Sequence, residues 1–281
     1  MFNADLEKRF PEVFTVDNGI WQASLTTYGG QILTASRHGS PRKVIYLGEK
    51  ADCSNGSAIR GGVPICWPWF GASPVAGRPI QGFARTARWS LERLEKDFCR
   101  LTLPPKEVAP EMADFPFELA FELKLSDALE MALIMKNCGH TGVNISCALH
   151  TYFAVSDCEK VTVTGLENAP YTVKGSSEIP CENAPLKIKG EICRLYCPQK
   201  GSIEILDLDW QRKIIISKEN SNSTLVWNPG AERCSQIADL KNDEFHDFLC
   251  VECNRAGEDT MLLQPEREYR ISQTITTAPL L

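Results

Sequence analysis

Residues 117–135 carry the pattern that most limits the fold. Phe117, Leu119, Phe121, Leu123 and Leu125 fall on one face of an extended chain, and Glu118, Glu122 and Lys124 fall on the other. A period of two marks a half-buried strand. Ser126-Asp127-Ala128 then turns the chain, and Leu129, Met131, Leu133 and Met135 resume the alternation. The segment therefore reads as a hairpin in an antiparallel sheet with one solvated face.

Short β-prone runs surround it. Asn-Gly and Gly-Gly breaks divide residues 14–39 into short strands. Residues 43–48 form a plausible strand, and residues 87–104 look like two strands joined at Glu95-Lys96-Asp97. NISCALHTYF and its flanks, KVTVTGL, SIEILDL, KIIIS, STLVW, FLCVEC and the last twenty or so residues continue the series. One short surface helix is expected within residues 1–10, and another between Ala231 and Phe248 with Ile237, Leu240 and Phe245 as its apolar set. No βαβ alternation, repeat or linker interrupts the chain. Many short strands with turns between them predict an all-β fold, a β-sandwich of one domain over residues 1–281, in which each sheet must be large.

Composition excludes some functions. A formal net charge of −6 argues against general nucleic-acid binding, which needs a basic surface. No apolar run is long enough to span a bilayer, and the first residues lack the basic-then-apolar pattern of a signal peptide, so a cytoplasmic protein with no membrane partner is expected. The twelve cysteines fit a reducing compartment, because many sit inside apolar strand patterns where free Cys is a common core residue.

The run from Ile59 to Arg85 is the least ordinary stretch. Arg60 and Arg85 bracket a segment rich in glycine, proline and aromatics. Gly61 and Gly62 permit tight bends, while Pro64 and Pro68 exclude a helix interior or a central strand. Trp67, Trp69 and Phe70 supply flat apolar faces. The run is either a rigid floor for a small ligand, edged by guanidinium groups, or a satellite core beneath a long loop.

Two residues break the apolar strand patterns. His150 interrupts one between Leu149 and Tyr152, where an imidazole can act as a general acid near neutral pH or simply be a hydrogen-bonded core histidine. Glu252 shares a strand face with Phe248 and Cys250. A carboxylate there is costly unless paired, and burial would raise its pKa as a base requires; the other possibility is that the strand ends and Glu252 is wet. His38, His140 and His246 lie in turn-like or charged sequence. Cys250 and Cys253 form a CxxC and Cys193 and Cys197 a CxxxC, but the second pair is embedded in a strand and the pairs are far apart in sequence, so no metal is expected. No P-loop, dinucleotide fingerprint or GxSxG elbow is present.

The segments IRGGVPICWPWFG, QGFAR, LHTYFAV, VWNP and FLCVEC, in that order, resemble the hexose-6-phosphate mutarotases, a branch of the aldose 1-epimerase family. The resemblance implies a large antiparallel β-sandwich of the galactose-mutarotase type and exchange between α and β anomers of a hexose 6-phosphate. By the same resemblance Arg60 and Arg85 reach the phosphate, His150 is the general acid and Glu252 the general base, with no cofactor. Trp67 or Phe70 would stack on the apolar face of the sugar. The chain departs from the family's usual pattern at Gln81, where a His is common, and at Cys193, where an Asp is expected. Glutamine can still bond a hydroxyl but carries no charge. The expected partner is a small sugar phosphate, bound by a monomer. The alternatives are a mutarotase of unphosphorylated aldoses and a non-catalytic sugar-phosphate binding protein.

Overall fold

A computed structural model describes residues 5–173 and 175–280. Among these residues two large antiparallel sheets face each other. One has eleven strands, along the order Val13–Asp17, Trp21–Thr26, Ile32–Arg37, Lys43–Ile45, Tyr152–Ala154, Phe248–Arg255, Ser223–Asn228, Ile192–Tyr196 and Tyr171–Val173, with Cys147–Leu149 pairing both Phe248–Arg255 and Ile65–Cys66. The other has nine: Leu186–Lys187, Thr162–Thr164, Ile203–Asp207, Arg212–Glu219, Glu268–Pro279, Leu129–Asn137, Phe117–Leu125, Phe98–Thr102 and Ser90–Leu94.

The hairpin read from residues 117–135 forms with Leu125 opposite Leu129, so its turn is Ser126-Asp127-Ala128. Its alternating apolar side chains face inward: Phe121, Leu123 and Leu133 join Val226, Leu249 and Val251 of the opposite sheet in one core. Two-layer packing of this kind removes both inner faces from water, which is the main favourable term for a chain this rich in short strands.

Sequence and structure differ in three places. The first helix is a single turn, Leu6–Arg9, and it is not confined to the surface, because Leu6 and Phe10 are buried against Leu33, Leu47 and Ile59; residues 1–4 of the expected segment lie outside the described residues. Between Ala231 and Phe248 the chain forms one turn of α-helix, Gly230–Cys234, and a 3-10 turn, Glu244–His246. Ile237 and Leu240 sit between them in turns, yet still pack with Phe245 in an apolar cluster on the outer side of the larger sheet. The run 143–155 is three short strands, not one.

That last difference shapes the site. Cys147–Leu149 and Tyr152–Ala154 both pair with Phe248–Arg255, Leu149 opposite Cys253 and Tyr152 opposite Cys250. The register is the same on both sides of the break, which sets His150 opposite Glu252. At the break the chain turns to other partners: the amide of His150 donates to Pro64 O at 3.0 Å and that of Thr151 to Leu149 O at 3.0 Å.

Candidate active site

Side chains alternate across the Phe248–Arg255 strand. Leu249, Val251 and Cys253 point into the core between the sheets. Phe248 and Cys250 point to the opposite face, into a second cluster with Tyr46 and Tyr152. Glu252 is on that second face, and it is fully buried. The strand continues to Arg255, so Glu252 is a mid-strand residue and not a wet strand end. The same alternation sends Cys250 and Cys253 to opposite faces, which separates the two thiols of the CxxC.

Asn254 holds the carboxylate. Its Oδ1 accepts from the Leu225 amide at 2.9 Å, so its NH2 group is turned toward Glu252 Oε2, at 3.1 Å. Glu252 Oε1 lies 3.1 Å from His150 Nδ1, but the two are oriented so that neither makes a hydrogen bond. His150 is 8% exposed. Burial pushes the Glu252 carboxyl well above the usual carboxylate range, against the pull of Asn254 and Arg85. Burial also depresses His150, to about 3, with the positive charges of Arg85 and Arg60 adding to it. Both shifts run toward the uncharged forms, a neutral imidazole and a protonated carboxyl.

Arg60 reaches the site through the glycines that follow it. Gly62 has φ +70°, and a Cβ there would meet Ile32 O at 2.1 Å, so only glycine allows this close backbone approach. Gly62 O accepts from Tyr152 N at 3.0 Å, which laces the Arg60 segment alongside the histidine strand. The Arg60 side chain is partly buried. Its Nε donates to Asp239 Oδ1 and Oδ2 at 3.2 and 3.3 Å, and its Nη1 to the Tyr152 hydroxyl at 3.3 Å. Arg85 follows Gly82 in a 3-10 turn, Ala84–Thr86. Gly82 has φ +74° and packs so tightly on Trp67 that a Cβ would meet Trp67 O at 2.0 Å. Arg85 Nη2 donates to Ile80 O at 3.1 Å, while its Nε is buried without a partner.

The structure thus brings together four of the residues singled out in the sequence: His150, Glu252, Arg60 and Arg85. Both guanidinium groups are near enough to act on the imidazole. Three of the buried polar atoms left without a hydrogen bond, His150 Nδ1, Glu252 Oε1 and Arg85 Nε, belong to this one cluster. Buried orphans are rare in native proteins and call for a cause such as a ligand or a catalytic role.

Trp67 is not part of the surface of the site. It is completely buried, packed against Phe83, Phe115 and Phe117 with ring centroids 4.8–5.7 Å apart. Pro64 and Pro68 flank a two-residue strand that draws the indole under the sheet, so Trp67, Trp69 and Phe83 are core, while Phe70 is only half-buried. The half-exposed aromatic beside the imidazole is Trp227, edge-on to His150 at 6.0 Å. Gln81 stands at the neck of the loop from 71 to 81, with φ 65°. Its backbone N–H donates to Gly71 O at 2.7 Å and its Oε1 accepts from Gly71 N at 2.8 Å, so its side-chain carbonyl is engaged in closing the loop. Cys193 is half-buried and pairs with Trp227, on the side of the sheet that carries the site. Asn254, Tyr152 and Asp239 were not singled out in the sequence. The first two were legible, since each lies two residues from a candidate and so on its face; Asp239 comes from a turn with no local signal.

The family model for aldose 1-epimerase matches residues 12–276. A protein of Escherichia coli (strain K12), provisionally named glucose-6-phosphate 1-epimerase, is 29% identical over 272 residues, covering 95% of this chain and 90% of that protein. A Cenchrus ciliaris protein with the same provisional name is 28% identical over 272 residues, covering 92% and 82%. The crystal structure of a provisionally assigned mutarotase from Salmonella typhimurium superposes with a TM-score of 0.86 at 26% identity, over 96% of this chain and 92% of that one. With its two antiparallel sheets in the galactose-mutarotase arrangement and a family match running nearly end to end, the protein belongs to the aldose 1-epimerase family and is an isomerase of the mutarotase class.

Proposed function

We propose that this protein interconverts the α and β anomers of a hexose 6-phosphate, glucose 6-phosphate being the first candidate. The observation that carries the reading is the convergence of Arg60 and Arg85 on a buried His150–Glu252 pair whose facing atoms have no hydrogen bond. Guanidinium groups are permanently charged and suited to phosphate oxygens. The provisional names of the Escherichia coli and Cenchrus ciliaris relatives also specify a sugar phosphate.

In this mechanism the pair carries one proton in total. Glu252 accepts the proton of the C1 hydroxyl as His150 protonates the ring oxygen, and the C1–O5 bond opens to the aldehyde. Rotation about C1–C2 presents the other carbonyl face. His150 then takes the proton from the C5 hydroxyl, Glu252 returns one to the carbonyl oxygen, and the ring closes as the other anomer. A paired acid and base of this kind contributes roughly 10²–10⁴-fold. Substrate also adjusts the starting state: a phosphate dianion on the two guanidinium groups offsets the positive charge that depresses His150, and so favours its acid form.

Magnetisation exchange between the α and β anomers of glucose 6-phosphate, followed by NMR with catalytic amounts of protein beside free glucose, tests the reading. Acceleration confined to the ester supports it. Equal acceleration of both sugars favours a general aldose mutarotase, a reading helped by the partial neutralisation of Arg60 by Asp239. Binding of the ester without acceleration points to a binding protein.

A further inference from the structure

A histidine in a catalytic site is ordinarily held in orientation by a hydrogen bond at one of its ring nitrogens. His150 has no such bond at Nδ1. Rings hold it instead. The Tyr152 phenol lies parallel to the imidazole, centroids 5.0 Å apart at an angle of 11°. Trp227 meets both rings edge-on, each at 6.0 Å, and Phe248 backs Tyr152 at 5.1 Å. Tyr152 is 2% exposed, so its position leaves little freedom.

Tyr152 is also fastened to the arginine at the other end of the site. Its hydroxyl accepts from Arg60 Nη1 at 3.3 Å. Its backbone is bonded into the segment that carries Arg60: Tyr152 N donates to Gly62 O, and Tyr46 N donates to Tyr152 O while Gly62 N donates to Tyr46 O. One side chain therefore touches both the guanidinium assigned to the phosphate and the imidazole assigned to proton transfer. A tyrosine that only filled space would need its ring and not its hydroxyl.

We propose that Tyr152 is a positioning residue that aligns the His150 imidazole and ties this alignment to Arg60, so that an anion held at the arginine end is sensed at the proton-transfer end. This rests on the mutarotase reading above. It gives the phosphate group a role in turnover as well as in binding, since interaction energy at a remote group can be used to order the reacting one.

The test compares Tyr152→Phe, which keeps the ring and removes the hydroxyl, with Tyr152→Leu, which removes the ring. Far-UV circular dichroism and thermal melts establish that each variant is folded. In Tyr152→Phe the ratio of kcat/KM for glucose 6-phosphate to that for glucose falls about tenfold, the scale of a hydrogen bond to a charged group. In Tyr152→Leu, kcat falls about 10–100-fold on both sugars, as misalignment of a general acid requires. The direct readout is the 15N signal of the His150 ring. In the wild-type protein it shifts when glucose 6-phosphate is added, and in Tyr152→Phe that shift is much reduced. A Tyr152→Phe protein with the full ligand-induced shift and an unchanged substrate ratio overturns the tie to Arg60. A Tyr152→Leu protein with wild-type kcat overturns the alignment. Wild-type protein that accelerates neither sugar overturns the mutarotase reading and this inference with it, whereas an active wild type with indifferent variants removes this inference alone.

Discussion

The carboxylate of Glu252 and the imidazole of His150 face each other from neighbouring strands, Oε1 3.1 Å from Nδ1, without a hydrogen bond between them. Strand register alone puts them there, because the same pairing runs on both sides of the break at residues 150 and 151. Burial holds both groups away from their ordinary charged states, raising the carboxyl and depressing the imidazole, and this has measurable consequences.

Glu252→Gln keeps the shape and removes the base. Anomer exchange should fall by about 10²-fold or more, while the affinity for the sugar phosphate changes little. NMR exchange rates and a titration on the same sample measure the two quantities, and normal turnover would remove Glu252 from the mechanism.

The same variant should be more stable than the wild type at neutral pH. The carboxyl has its pKa raised in the folded protein above its ordinary value of 4.5. The unfolded chain ionises freely above that value and the folded one does not, so Glu252 costs stability as pH rises through 4.5 and upward, and costs none well below it. Thermal melts should show a gain for Glu252→Gln at pH 7 that vanishes near pH 3.5.

His150 has the opposite sign. Its folded pKa is depressed from 6.5 to about 3, so the unfolded chain takes up a proton that the folded one refuses. Wild-type stability should therefore decline as pH drops from 6.5 toward 3, and His150→Gln should lack this component of the decline. Melting temperatures of both proteins across that range, in one buffer series, check it; parallel curves would place the imidazole in a more polar setting than its burial indicates.

The two arginines should separate substrates. Arg60→Ala and Arg85→Ala are each expected to raise KM for glucose 6-phosphate by at least about tenfold, and far less for glucose. An equal effect on both sugars would deny the guanidinium groups a phosphate role.

Gly82→Ala should disturb Arg85 from a distance. The added methyl group would sit 2.0 Å from Trp67 O in a backbone with φ +74°. The variant should lose roughly 1–3 kcal/mol of stability and show a raised KM for the ester, because the turn that presents Arg85 follows directly. A fully stable variant would mean that the 82–86 turn adjusts without strain.

How much of this was legible from the residues follows from what fixes each feature. The alternation of Phe117 to Leu125 is local, and the hairpin it forms, with its three-residue turn, could be read directly. Glu252 betrayed itself by standing on an apolar face, and His150 by interrupting an apolar run. Trp67 did not, since a tryptophan in a loop of glycines and prolines reads equally as floor or as core, and the packing of Phe115 and Phe117 that helps to bury it comes from far along the chain. The break that turns His150 toward Pro64 depends on a strand some 85 residues away, and Asp239 on a turn that nothing nearby announces. Non-local pairing sets those features, and no short window contains it.

The ion pair between Arg60 and Asp239 changes what binding means here. A carboxylate tethered to the chain, that of Asp239, already sits on the Arg60 guanidinium. On the proposed reading, capture of a sugar phosphate is then an ion exchange, in which one negative group displaces another from the same guanidinium. Affinity becomes a difference between two anions, and its dependence on salt should be shallower than two arginines imply. Departure of the product is assisted by the same resident group, which returns to the cation as the ester leaves.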